Sequence, residues 1–353
     1  MKKYLALLLA LCMAITCFAG CGKTEEPAPA PETAPETAPE AAPVEEAGLP
    51  EEYDLVMTFG AETGSVYAMG IQIGEYINSL APDITCTVKV GGSASNIMLL
   101  STNDTVIAHS NSDTAYDALT GGGDFGTPVT NFYGIASVMQ SVLHVVVPAD
   151  CPVNTFAELV EQQYPIKIAV GTQGSSIEGL IRKIFAYYGV TYEDIAKWGG
   201  KVEYLNIGDA STLFTDGPLN AVSVVAGIPY STCSEIAASK DIKLLSLDAD
   251  LVEDLSTKGY IGKAIPADTY NKQTAAVDSV ATLVTVYASE EANEEVIYEI
   301  TKFLNSEEGI EILSNVNAGF AAYMTGPESG IAGIAVDLHP GAARFYEEAG
   351  VLK

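Results

Sequence analysis

Short apolar runs alternate with amphipathic stretches along the chain, and glycine or serine stands at most of the boundaries between them. Tyr53–Phe59 passes from alternating to continuously apolar, which predicts a strand buried on both faces. A Gly-rich turn from Gly60 leads into a helix over Val66–Leu80, stopped by Pro82. The β-branched run Thr85–Val90 predicts a second strand. Gly91-Gly92-Ser93 then opens a helix over Ser95–Leu100 that Ser93 or Ser95 can cap. A third short strand, Thr105–His109, feeds a helix capped within Ser110–Asp113 and running to Leu119. Strands follow at Gly134–Met139 and Leu143–Pro148, then a helix over Phe156–Gln162 behind Thr155. Ile166–Val170 ends in the turn Gly171–Ser176 and starts a helix through Tyr188, which repeats the opening pattern. More strands are expected at Val202–Asn206, Leu219–Val225 and Ile242–Leu247, with short helices at Asp209–Phe214 and Asp250–Ser256. A long strand, Val280–Ala288, leads into the helix Glu294–Asn305.

Strand and helix in alternation predict an α/β protein. Strands that end in glycine at helix N-termini expose backbone N–H groups and aligned peptide dipoles, which suit an anion. In open α/β sheets ligands collect at the carboxyl ends of the strands. Such turns in two separate stretches predict two lobes facing each other across a cleft. Leu143–Leu159 and Leu283–Ile297 share one pattern, a Val-rich strand, a polar turn and a helix. They are read as two crossings between lobes, hinged near Val147 and Ser279. Lobe 1 is then 53–147 plus 280–353, and lobe 2 is 148–279.

The first residues change the picture of where the chain resides. Lys2 and Lys3 precede an apolar run, Tyr4–Phe18, too short to span a bilayer, so 1–20 reads as a signal peptide. Phe18-Ala19-Gly20-Cys21 resembles the bacterial lipobox, which makes Cys21 the expected lipidation site. Residues 21–52 are rich in Pro, Ala and Glu, with too little apolar content to fold, and read as a spacer from the membrane. The whole 353-residue chain is 48% hydrophobic and 18% charged, so its bulk is globular. A net charge of −29 argues against nucleic acid as a partner. Cys86, Cys151 and Cys233 form neither a disulfide framework nor a metal site.

Reactive constellations are missing from the sequence. Gly121–Gly126 matches GxGxxG but follows a helix, so it reads as a mobile loop and not a dinucleotide site. Neither GxSxG nor HExxH occurs. His109, His144 and His339 have no spacing that joins them to a serine and an acid, and they read as structural. No enzyme activity, metal or cofactor is expected. Tyr67, Tyr133 and Tyr230 lie near the turns and could wall a pocket.

Seven segments, in order, resemble one family: GAETGSVYAMG (60–70), GGSASNIMLL (91–100), SNSD (110–113), VGTQGSSIEG (170–179), AGIPYS (226–231), KDIKLLSLD (240–248) and LHPGAARFYEEAG (338–350). They look like the TAXI-type solute receptors of tripartite ATP-independent periplasmic (TRAP) transporters. The resemblance implies a type II periplasmic-binding-protein fold, two α/β lobes on a two-strand hinge. It implies an extracytoplasmic, membrane-anchored monomer that captures glutamate, 2-oxoglutarate or a similar small molecule and hands it to a TRAP permease. Carried over by motif, the ligand-binding residues are Thr63, Gly64, Ser65, Tyr67, Gly92, Ser93, Asn96, Asn111, Asp113, Gly174, Ser175, Ser176, Gly227 and Pro229.

The chain departs from the family where charge is concerned. The usual Glu and Arg of the second motif are Ser95 and Met98 here, and the usual Asp of the next strand is Val106. The only arginines, Arg182 and Arg344, fall outside the expected cleft. Lys89, two residues before Gly91, is therefore read as the cation that would hold a carboxylate, with an amine-bearing ligand at Asp113 and Glu62 as the other possibility. An ABC-importer binding protein or a sensor of the same fold are the competing readings, and an extracellular hydrolase is a more distant one.

Overall fold

The computed structural model describes residues 48–123 and 125–352. The expected signal peptide, Cys21 and nearly all of the spacer lie outside the described residues. Ten strands follow in chain order: β1 (Tyr53–Phe59), β2 (Ile84–Val90), β3 (Ile107–Asn111), β4 (Phe132–Pro148), β5 (Lys167–Ala169), β6 (Lys201–Glu203), β7 (Ala221–Ala226), β8 (Ile242–Leu244), β9 (Ile261–Gly262) and β10 (Val280–Ser289). The helices that matter for the site are α1 (Ser65–Leu80), α2 (Ser93–Ser101), α3 (Ser112–Thr120), α4 (Phe156–Glu161) and α5 (Ser176–Tyr187). No helix among the described residues is long and apolar enough to cross a membrane.

The strand order shows a repeat. One half runs β2-β1-β3-β10-β4, with β1 parallel to β2 and β3 and β10 antiparallel to β3. The other half runs β6-β5-β7-β4, with β8 also paired to the far end of β4. Each half is thus ordered second, first, third, crossing strand, fourth. The α/β class and the type II periplasmic-binding-protein topology expected above are both present.

β4 is one continuous strand of 17 residues where two were expected. The polar Gln140 and Ser141 look like a turn in sequence, but they stay paired to Leu283 and Thr282 of β10. A neighbour that keeps offering ladder partners overrides local polarity. Along β4 the side chains change surroundings. Ile135, Ala136 and Val138 pack with Leu55, Met57, Phe59 and Phe303, whereas Leu143, Val145 and Val147 pack with Ile168, Leu180 and Phe185. β10 makes the same passage in reverse, from Val280 in the second core to Leu283, Val286 and Ala288 in the first. Every residue of β10 is buried, as a strand covered on both faces must be.

α1 seals one face of the first core by backbone proximity. Gly70 lies against the Phe59 ring, and a Cβ there would sit 2.5 Å from a ring carbon. On its other side α1 meets the helix Glu294–Asn305, where Tyr76 stacks on Phe303 with centroids 4.5 Å apart and its hydroxyl donates to Glu299 at 3.0 Å. Gly70→Ala should therefore cost about 1–3 kcal/mol through overpacking, read as a lower urea midpoint with an unchanged slope.

All three histidines are buried and serve as packing and hydrogen-bonding groups. His144 is held between the Val142 carbonyl (2.9 Å from Nδ1) and the Tyr270 hydroxyl (2.8 Å from Nε2). His339 caps its helix by accepting from the Gly341 N–H at 3.3 Å. His109 stacks on Phe59. Burial pushes each of them down to about 4. The folded protein thus holds them neutral, while the unfolded chain takes up protons near 6.5. Their contribution is complete above pH 6.5 and is lost as pH falls toward 4. Urea midpoints should drop between pH 7 and pH 5, with each histidine withdrawing on the order of a few kcal/mol by pH 4; His144→Gln should make that drop shallower.

Candidate functional site

Three helix N-termini face one another where strands end. β2 runs into Gly91 and the N-cap Gly92 of α2, which has no side chain to cap with. Ser95 supplies the missing bond by accepting from the Gly92 N–H at 3.2 Å and donating to its carbonyl at 2.9 Å. β3 runs directly into α3, with Asn111 as N-cap. After β5, Gly171 and Gly174 take φ of 89° and 74°, a turn that L side chains disfavour. Ser175 then caps α5 by accepting from the Glu178 N–H at 3.4 Å.

Between α2 and α3 on one side and α5 on the other lies a cavity of about 550 Å³. Ser93, Asn111, Asp113 and Asp117 line one wall; Gly174, Ser175, Ser176, Glu178, Arg182 and Lys183 line the other. A second cavity of about 320 Å³ shares Asn111, Ser175 and Ser176 and continues over Ser141, Thr172, Ser223 and Thr282. The two walls belong to different cores: Ala115 and Ala118 of α3 pack with Phe132 and Tyr287, while Leu180, Ile181 and Ile184 of α5 pack with Val145 and Phe156. A larger space of about 1310 Å³ lies at the opposite, amino ends of β1 and β2, away from every helix N-terminus described here.

Charge in the main cavity is mostly compensated within the chain. Lys183 bonds both oxygens of Asp117 at 3.0 Å, joining α5 to α3 across the gap. Arg182 pairs with Glu178 one helical turn away and lies 4.6 Å from the centre of the Tyr192 ring. Asp113 is buried and accepts from the Thr282 hydroxyl at 2.6 Å and the Tyr260 hydroxyl at 3.2 Å. Burial raises its carboxyl above the usual range, while the hydroxyl bonds and the nearby Lys183 pull it back. Ser112 next to it donates to the Gly259 carbonyl, which ties the start of α3 to the strand crossing.

Of the residues expected to bind, Ser93, Asn111, Asp113, Gly174, Ser175 and Ser176 come together here. The others lie outside both cavities. Thr63 is exposed in its turn, with Gly64 and Ser65 at the start of α1. Tyr67 donates to the Val88 carbonyl at 3.4 Å and so packs on β2. Asn96 is a buried bracket: its Nδ2 donates to the carbonyls of Thr58 at 3.1 Å and His109 at 2.8 Å. Gly92 faces solvent beside it. Gly227 and Pro229 follow the end of β7, where the Tyr230 N–H donates to the Tyr270 hydroxyl at 2.9 Å. Arg182, expected elsewhere, lines the cavity. Phe125 of the GxGxxG loop also lines it, as do Lys183 and Thr282, which sequence reasoning missed. A signal for Arg182 was present: it lies seven residues after Ser175, hence on the same helical face.

Lys89 is exposed on the edge strand β2, in register with Thr58, and lines neither cavity. A remote, solvated charge contributes little to a buried ligand. Lys89→Met should leave the affinity for a bound solute unchanged to within about twofold by calorimetry.

Comparison with solved structures finds distant likenesses over most of the chain. The chain is similar to the periplasmic aliphatic sulphonate binding protein SsuA of Escherichia coli, at 13% identity and a TM-score of 0.45 over 84% of this chain and 90% of that one. It is similar to a TctC solute binding protein from Polaromonas, at 13% identity and a TM-score of 0.46 over 85% of this chain and 99% of that one. The profile of the NMT1-like family matches residues 57–350, which include both cores, the three helix N-termini and the cavity walls, and the chain belongs to that family.

Proposed function

We propose that this protein is an extracytoplasmic solute receptor that closes two α/β lobes over a small polar metabolite. The observation that carries the reading is the cavity of about 550 Å³ whose walls come from two separately packed cores. The two long strands β4 and β10 run from one core into the other, so a relative rotation of the lobes would concentrate at their crossings. The change of core falls within 139–142 on β4 and at Ala281 and Thr282 on β10, and this supports a hinge in that region, near the expected Val147 and Ser279.

Opposed helix N-termini and hydroxyls offer hydrogen bonds from both sides, which is what a clamshell site requires. The ordered motifs from residues 60 to 350 support the finer reading, a TAXI-type receptor. In that reading it is anchored through Cys21, held off the membrane by 21–52, and delivers its solute to a TRAP permease.

Native mass spectrometry of the purified protein, followed by thermal denaturation against a metabolite library, tests the receptor reading. A ligand at 100 times its dissociation constant stabilises the fold by about 2.7 kcal/mol, a shift of a few degrees for a chain of this size. Absence of a retained solute together with a flat response across the library would refute it.

A further inference from the structure

The ionisable groups around the cavity are unequal in number, three carboxyls to two cations. Its two cations are both engaged: Lys183 by the two oxygens of Asp117 and Arg182 by Glu178. The remaining carboxylate, Asp113, receives bonds from two neutral hydroxyls, Thr282 and Tyr260, and from no cation. It is only 4% exposed, and it is part of the cavity wall. A carboxylate has about four acceptor positions, so roughly two remain. Burial raises the Asp113 carboxyl above the usual range, so its ionised form is costly until a cation stands beside it.

We propose that the solute carries an organic cation, an ammonium or guanidinium group, which Asp113 receives within the cavity. The proposal rests on the receptor reading above and names its ligand class. An ammonium at Asp113 gains charge-assisted hydrogen bonds that the two hydroxyls cannot supply. A dicarboxylate meets the opposite situation. The N-termini of α3 and α5 already hold Asp113 and Glu178 in their first turns. Both cavity cations would have to leave an existing ion pair to bind it.

Thermal shift and titration calorimetry on the purified protein test this, with lysine, agmatine and spermidine set against succinate, glutarate, 2-oxoglutarate and glucose. At least one of the cations should raise the melting temperature, while the acids and glucose leave it unchanged. Asp113→Asn keeps an oxygen and an amide for Thr282 and Tyr260, so it should melt close to the parent and bind the cation about tenfold or more weakly. Lys183→Met, which leaves the carboxylates in place, should tighten cation binding and so provides an independent readout should the Asp113 variant fail to fold. Stabilisation by acids or glucose but by none of the cations, or unchanged cation binding in both variants, overturns the ligand class and leaves the receptor reading standing. No retained solute and no response to any compound overturns the receptor reading, and this inference with it.

Discussion

The antiparallel pairing of β4 with β10 is the constraint on which the rest of the molecule depends. Nine residues of β10, Ala281–Ser289, pair along β4 between Val142 and Phe132. The register slips twice, between Val284 and Thr285 and between Val286 and Tyr287, and such irregularities bend and twist a strand locally. Each strand carries apolar side chains into both cores, so neither core is complete without the shared ribbon. Further bonds gather where the ribbon crosses. The Ser279 hydroxyl donates to the Leu143 carbonyl at 2.7 Å, and the Leu283 N–H donates to the Ser112 hydroxyl at 3.0 Å.

The crossing and the cavity share atoms. Thr282 lies where β10 changes core, lines the smaller cavity and donates to Asp113, which lines the larger one. Tyr260, just before β9, holds the other oxygen of Asp113, and its ring lies 5.5 Å below the Lys183 ammonium. Polar groups at the ribbon and polar groups lining the cavity thus form one connected network. Rotation about the crossing cannot leave the Asp113 environment untouched, and a change at Asp113 alters what holds the crossing together.

The sequence disclosed the strand and helix order well because each element is short and ends in a glycine, serine or proline. It also disclosed the turns that carry Ser93, Asn111 and Ser175. It misled at Gln140-Ser141, where two polar residues in succession look like a break but remain paired to a buried neighbour. Tyr67 and Asn96 lie in a ligand motif of the resembled family, and here they donate to backbone carbonyls of β1, β2 and β3. Thr282 and Lys183 were invisible for a different reason. Their role comes from neighbours more than sixty residues away, Asp113 and Asp117, and periodicity along one element carries no information about such partners.

The Tyr76–Phe303 stack and the Tyr76–Glu299 bond join an early helix to residues more than two hundred positions later. Near the end of the chain, the Tyr346 hydroxyl likewise donates to the Ile135 carbonyl at 3.0 Å. As the polypeptide is synthesised, the second core draws on residues from Leu143 onward together with Val280, while the first draws on both ends of the folded chain. The half begun by β1 has to wait, its apolar face uncovered, until the last sixty residues arrive. High sequence separation of this kind slows folding and prolongs exposure to aggregation, so the half synthesised first cannot close its core before the C-terminal helices exist.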